Sequence, residues 1–350
     1  MLMSSDSRPL KFSLAINEAL YQSMETDADV MLIGQGVKSP WYVGQTAHRL
    51  LATFGPERVI DTPVSENAIT GAAVGAAIAG MKPVVVHPRM DFMFYAFDPM
   101  MNEAANWRYM SAGRAPCSVV FWGIINRGGE QGAQHSQALH ALFAHIPGLK
   151  VVMPSTPFDA KGLLIAAIRE PNPVVFIDDR FLYEITEEVP QKIYEVPIGK
   201  GIVRRLGTDV TMISISYGAH LTMKAAAMLA DKGIEAEVVD LRSAKPIDID
   251  LIKASVKKTG KVAVVDVGWR SFGVSAEVSA LIHEHCFSDL RRSVLRIALP
   301  DIPAPAARTL EKDYYFNEYD IAKNVMELLA PNDREVLRYS QNTSVPRIIY

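Results

Sequence analysis

The sequence predicts an α/β protein of two parallel-sheet domains, and three observations lead there. Short runs of β-branched residues bounded by Gly and Pro alternate with stretches of helical periodicity, the pattern of βαβ units around a parallel sheet. The alternation stops once, at 188–200 (EVPQKIYEVPIGK), where two prolines and mixed charge read as a linker, and then resumes. A chain of 350 residues is also long enough to bury two ordinary cores. The expected organisation is a domain over 10–187, a linker over 188–200, a second domain over 201–335 and a tail over 336–350.

In chain order, VMLIGQG, VIDTP, PVVVHP, CSVVFWG, KVVMPS and PVVFIDD are each short and apolar and lead into a helical pattern or a loop, so they read as the strands of the first domain. After the second of them, NAITGAAVGAAIAG is small and apolar all round, which predicts a closely packed helix buried on every side. In the second domain DVTMISISYG, EAEVVDLRS, KVAVVDVGW and SVLRIALPD alternate with helical stretches. One of these, HLTMKAAAMLADKG, places Met223, Ala227 and Leu229 roughly on one face. The chain has no visible internal repeat, and from Arg334 onward it is polar and reads as extended.

Composition excludes several classes. Hydrophobic residues at 49% and charged residues at 21% are globular values, which argue against disorder or a fibre. A formal net charge of -3 argues against nucleic acid, whose phosphates call for a basic patch. Cys117 and Cys286 are the only cysteines, and neither stands at disulfide-framework or zinc spacing. MLMSSDSRPLKFS lacks the apolar core of a signal peptide, and no apolar stretch is long enough for a membrane span, so a soluble cytoplasmic protein is expected.

Three residues carry the chemistry. Glu66 lies just past VIDTP, Phe92 just past PVVVHP, and His135 in the loop NRGGEQGAQHS after CSVVFWG. Three strands therefore deliver an acid, an aromatic ring and an imidazole to their carboxyl ends, the edge where open α/β sheets bind ligands. Singly each has a plainer role: Glu66 favours a helix start through the dipole, and Phe92 in MDFMFYAF fills a core. Gly128, Gly129 and Gly132 give the His135 loop no evident packing role, and a glycine-rich loop at such an edge points to function. The coincidence of all three outweighs any one of them.

The runs DTPVSENAITGAAVGAAIAGMKPVV, AFDPMMNEAANWRYMSAG and GAQHSQALHALFAHIPGLKVVMPSTPFDAKGLLIAAIREPNPVVF give the chain its resemblance. It resembles the β subunit of the thiamine-diphosphate-dependent decarboxylating component of 2-oxoacid dehydrogenases, of which the pyruvate and branched-chain enzymes are the best known. The resemblance spans about Leu10 to Leu329 and includes VVDLRSAKPIDIDLI in the second domain. It implies a thiamine-diphosphate-binding fold, with a transketolase-like pyrimidine-binding domain and a transketolase C-terminal-like domain. The activity it implies is decarboxylation of a 2-oxo acid and transfer of the acyl or activated-aldehyde unit.

The same resemblance implies roles for the site residues. Glu66, the glutamate of SEN, would hydrogen-bond the aminopyrimidine of thiamine diphosphate and favour the imino tautomer that removes the thiazolium C2 proton. Phe92 matches the aromatic that packs on that ring, and His135 the histidine that steadies substrate or handles a proton. Val119, Ala167, Glu170 and Asn172 match a structural monovalent-cation (K+) site built largely from main-chain oxygens. The Gly-Asp-Gly and downstream Asn with which this class holds Mg2+ and the diphosphate are missing, so the Mg2+ ligands must come from a separate α subunit. The implied assembly is α2β2, with a lipoyl acyltransferase as a further partner and a small 2-oxo acid as substrate.

Several positions depart from the pattern. Gln35 stands where the familiar subunits have a glutamate linked to a polar tunnel between paired sites. His87, Pro88 and Arg89 replace largely apolar residues, Glu130 replaces glycine, and Trp122 replaces a common arginine, so the substrate or acceptor is open to change. Arg89 reads either as an ion-paired structural residue or as a fork for a substrate carboxylate or phosphate. His87 reads as a satisfied buried histidine or as a substrate contact. Two rival functions remain: a split transketolase-like subunit moving a ketol unit, and a non-catalytic assembly subunit, against which stands the retention of Glu66, Phe92 and His135. A nicotinamide site at LIGQGVKSP lacks the third glycine of its motif.

Overall fold

The structure is a computed structural model that describes residues 6–129 and 131–330. Its strands are β1 (Ser7–Lys11), β2 (Val30–Gln35), β3 (Val59–Thr62), β4 (Lys82–His87), β5 (Val120–Ile125), β6 (Lys150–Val152) and β7 (Val174–Asp179). They continue with β8 (Thr186–Pro190), β9 (Ile202–Arg205), β10 (Val210–Ser214), β11 (Ala236–Asp240), β12 (Ser243–Lys245), β13 (Val262–Trp269) and β14 (Leu295–Leu299). Two compact units result. Among the described residues the first holds those up to Arg127, then His135–Lys200 and Arg242–Pro246; the second holds the rest.

The first unit is built on a seven-stranded sheet in the order β12-β6-β7-β5-β4-β2-β3. All its pairings are parallel except that of β12 with β6. β5 and β7 are buried at every position, which is why VFWGII and VVFIDD read as continuous apolar runs rather than as alternation. Each buried Val or Ile side chain there contributes about 1.5–3 kcal/mol by leaving water. Two largely buried helices, Phe12–Thr26 and Pro157–Arg169, pack against each other. Lys161 on the second of these is fully buried, and its Nζ donates to Glu18 Oε1 at 2.6 Å and to the carbonyl of Pro190.

The second unit carries a five-stranded sheet, β14-β13-β10-β11-β9, parallel except at the β9 edge. Its core gathers Val210, Met212, Val238 and Val265 from the sheet with Leu221 and Leu229 of the helix Tyr217–Ala230 and Ile321 and Val325 of the helix Glu318–Leu329. No helix among the described residues is long and apolar enough to cross a membrane.

Four expectations need amendment. The helix Glu66–Ile78 buries only Ile69, Thr70, Ala73, Val74 and Ala77; Gly71, Ala72, Gly75 and Ile78 are exposed, because small apolar residues all round do not by themselves supply a neighbour on every side. In the helix Tyr217–Ala230 the inward face is Leu221, Thr222, Ala225, Ala226 and Leu229, whereas Met223 is half-buried and Ala227 exposed. The stretch read as a linker opens in β8, which pairs antiparallel with β1, Pro9 opposite Glu188. Residues 242–246, expected in the second domain, return to the first unit through β12. The tail and Glu130 lie outside the described residues.

Candidate active site

β5, β4, β2 and β3 are neighbours in the first sheet and parallel, so their carboxyl ends open on one edge. Gln35 closes β2 and His87 closes β4. Arg89 and Phe92 come after β4, the latter within the 3-10 turn Met90–Ala96; Glu66 opens the helix after β3. Chain order alone scatters these residues over roughly a hundred positions, and the parallel pairing gathers them. Gln35, Glu66, His87, Arg89, Phe92 and His135 all line one cavity of about 270 Å³. Ile69 and Val86 supply apolar wall, and Trp41 and Tyr42 add aromatic wall.

Glu66 occupies the first turn of its helix, where partial positive charge favours a carboxylate. Among the described residues that carboxylate has no hydrogen-bond or ion-pair partner, which leaves it free to bind a ligand. The Phe92 and His135 rings stand edge to face, with centroids 5.3 Å apart and planes at 81°. The loop carrying His135 is pinned from both sides. Before it, Asn126 Nδ2 donates to the Pro88 carbonyl at 2.9 Å and Arg127 Nε to Asp179 Oδ2 at 2.6 Å. After it, the Gln137 N–H donates to Asp91 Oδ1 at 3.0 Å. Gly128, Gly129 and Gly132 lie at φ of 65°, 63° and 68°, left-handed backbone that side chains other than glycine adopt at a cost.

Burial sets the charges. His87 is buried, its Nε2 lies 3.3 Å from Thr70 Oγ1, and its Nδ1 has no partner among the described residues. Desolvation pulls its pKa down to about 4, so it enters the cavity wall as a neutral imidazole. Arg89 is half-buried; Nη1 donates to the Pro88 carbonyl and Nε has no partner among the described residues. Its pKa is lowered by burial first and then by the like charge of Arg180, with Asp91 opposing. The Asp91 carboxyl is pushed up by burial, against hydrogen bonds from Gln137 and the field of His135.

Other expected sites fall elsewhere. Trp122 is fully buried and does not line the cavity; its Nε1 donates to Asp178 Oδ1 at 2.8 Å, so its place is in the core. Around the expected cation site the Val119 carbonyl accepts from the Val174 N–H and the Ala167 carbonyl from the Glu170 N–H. Glu170 Oε2 lies 2.7 Å from Lys150 Nζ, and Glu170 Oε1 accepts from Asn172 Nδ2. No cluster of three or more His, Cys, Asp or Glu among the described residues is arranged to hold a metal ion. Trp41, Tyr42 and Asp91 were missed in the sequence. Trp41 and Tyr42 have no local signal, but the acid of MDFMFYAF, alone in an apolar run, marks Asp91.

Residues 8–186 match the family model for the transketolase pyrimidine binding domain, and residues 199–321 that for the transketolase C-terminal domain. The β subunit of acetoin:2,6-dichlorophenolindophenol oxidoreductase from Cupriavidus necator is 41% identical over 327 residues, covering 90% of this chain and 96% of that one. The β subunit of the pyruvate dehydrogenase E1 component from Rickettsia felis is 38% identical over 314 residues, covering 90% and 96%. A solved structure titled split gene transketolase, inactive beta4 tetramer, matches 92% of the chain and 98% of its own with a TM-score of 0.75 at 22% identity, a likeness of fold.

Proposed function

The chain belongs to the family of E1-component β subunits, built from a transketolase pyrimidine-binding and a transketolase C-terminal domain, and on that premise we propose that it is the β subunit of a thiamine-diphosphate enzyme that decarboxylates a 2-oxo acid and transfers the acyl or activated-aldehyde unit. The supporting observation is the convergence of Glu66, Phe92 and His135 on one cavity at the carboxyl edge of a parallel sheet. An unpartnered carboxylate, a flat ring and the apolar Ile69 suit a flat amino-substituted heterocycle. Bound there, thiamine diphosphate supplies an electron sink for the carbon from which carbon dioxide leaves.

The chain's own residues do the rest. Glu66 would accept a hydrogen bond from the aminopyrimidine and so favour its imino tautomer. Phe92 would pack on the ring, and Ile69 would help to exclude water. His135 gives or takes a proton during acyl transfer, work suited to an imidazole. Arg89 binds an anionic group of the substrate, beside neutral His87. Gln35 carries no titratable proton, so a carboxylate relay through that position is not available to this chain.

Mg2+ and the diphosphate are assigned to an α subunit carrying Gly-Asp-Gly, in a cytoplasmic α2β2 enzyme with a lipoyl acyltransferase as acyl acceptor. A K+ site at Val119, Ala167, Glu170 and Asn172 would draw on main-chain oxygens, two of which, those of Val119 and Ala167, already accept backbone hydrogen bonds, and no step is routed through it. The test is Glu66→Gln. The amide keeps the shape but not the charge, and charge-assisted hydrogen bonds are roughly twice as strong as neutral ones. Hydrogen–deuterium exchange at the cofactor C2 position should slow severely in the assembled enzyme while folding and assembly stay normal. Exchange at the parental rate would remove Glu66 from this role. A screen of 2-oxo acids, with acetoin and a sugar phosphate as contrasts, separates the proposed activity from a ketol transfer.

A further inference from the structure

Asp91 is buried and unused by the steps above, yet it lies next to Phe92 in the chain and makes a bond to the loop that carries His135. We propose that Asp91 is the positioning residue of this site: its carboxylate clamps the far side of the glycine-rich loop, at the Gln137 N–H, so that the His135 imidazole stands edge-on to Phe92. This rests on the reading that His135 acts in the reaction.

The geometry has three parts. Asp91 belongs to the 3-10 turn Met90–Ala96, whose Met90, Asp91, Met93 and Ala96 are buried, so the carboxylate is fixed by packing on its own side. Its Oδ1 accepts from the Gln137 N–H at 3.0 Å, two residues after His135. The near side of the loop is tied to the same segment by Asn126 Nδ2 on the Pro88 carbonyl at 2.9 Å. Residues 88–92 therefore grip the loop at both ends, and the ring pair at 5.3 Å and 81° lies between the grips.

The two clamps divide the work unequally. Asn126 is itself buried at the end of β5 and ties the loop where the sheet already holds it. Beyond the positive-φ glycines, whose backbones are intrinsically the freest, Asp91 Oδ1 accepts from the Gln137 N–H and ties the chain there. Ordering a loop before the reaction removes that entropy from the barrier, and small misplacements of a catalytic group are costly in rate. His135 and Arg89 are the charged or titratable groups that interact electrostatically with Asp91.

The experiment compares Asp91→Ala and Asp91→Asn in the enzyme assembled with its α subunit. Asparagine keeps an oxygen able to accept from the Gln137 N–H; alanine does not. Amide hydrogen exchange in the peptide spanning 126–140 should quicken in Asp91→Ala and stay near parental in Asp91→Asn. Turnover in Asp91→Ala should fall by roughly ten- to a hundredfold in kcat, with KM and C2 exchange near parental, and Asp91→Asn should recover most of it. Unchanged loop exchange and kcat in Asp91→Ala would overturn the proposal, and so would an Asp91→Asn variant as impaired as the alanine one, because the clamp needs an acceptor and not a charge. Loss of C2 exchange in Asp91→Ala also counts against it, placing the residue with the cofactor. The wider reading fails separately, through parental C2 exchange in Glu66→Gln.

Discussion

Arg89 brings a guanidinium into the cavity wall with no carboxylate in salt-bridge contact among the described residues, and with its Nε buried and unpartnered. A half-buried cation beside the like charge of Arg180 is relieved by an anion, which supports its role toward substrate. Arg89→Leu should raise KM for the natural acid by roughly ten- to a hundredfold, the range of a lost charged hydrogen bond, while thiamine-diphosphate affinity measured by calorimetry stays nearly unchanged. Lost stability with parental KM would assign Arg89 to structure instead. His87 gives a pH test. Its folded pKa of about 4 lies below the unfolded value, so as pH falls through that window the unfolded chain takes up a proton that the folded chain refuses, and stability drops. Between about pH 7 and about pH 5 the loss attributable to His87 is about 2 kcal/mol, so the unfolding free energy of the parent relative to His87→Gln, read from urea titrations, should fall by that margin at the lower pH.

At the scale of elements, the helix Glu66–Ile78 serves two purposes. Its first residue meets the cavity, and its outer face of Gly71, Ala72, Gly75 and Ile78 is apolar and solvent-facing in the single chain. A Cβ added at Gly75 would meet nothing within 4 Å among the described residues, and the residue sits in a helix interior without positive φ. Gly75→Ala should therefore stabilise the isolated chain by about 0.5–1 kcal/mol, read from denaturant unfolding. If the same change weakens assembly with the α subunit, the small residue is kept for close approach of a partner. A destabilised isolated chain would instead show that the helix is more tightly packed on that side than its exposure indicates.

For the whole molecule, the chain brings the residues proposed for the pyrimidine together in one cavity, and its sequence has no Gly-Asp-Gly for the diphosphate end. Calorimetry on the pure chain should therefore find weak thiamine-diphosphate binding, and addition of a Gly-Asp-Gly-bearing partner with Mg2+ should restore it. Tight Mg2+-dependent binding by the chain alone would contradict the division of the site between two subunits. The same experiment, run on size-exclusion fractions, reports whether the restored enzyme has the proposed α2β2 mass.

Much of this was written in the sequence. The apolar runs of β2, β4, β5 and β7 were legible because strands buried on both faces of a parallel sheet need apolar residues at nearly every position. The meeting of Glu66, Phe92 and His135 was legible because they follow β3, β4 and β5 in turn, and parallel strands deliver the residues beyond their carboxyl ends to one edge. The strands β1, β8, β9 and β12 were not, since short or edge pairings such as Pro9 with Glu188 and Lys245 with Val151 impose little pattern on their residues. Nor was the exposed side of the helix Glu66–Ile78, because a composition tells what a face could pack against and not what stands there. The clamp from Asp91 to Gln137 joins residues 46 positions apart, and Trp41 and Tyr42 reach the cavity from a separate turn. Local periodicity carries no record of such meetings; only the closing of the sheet and its loops decides them.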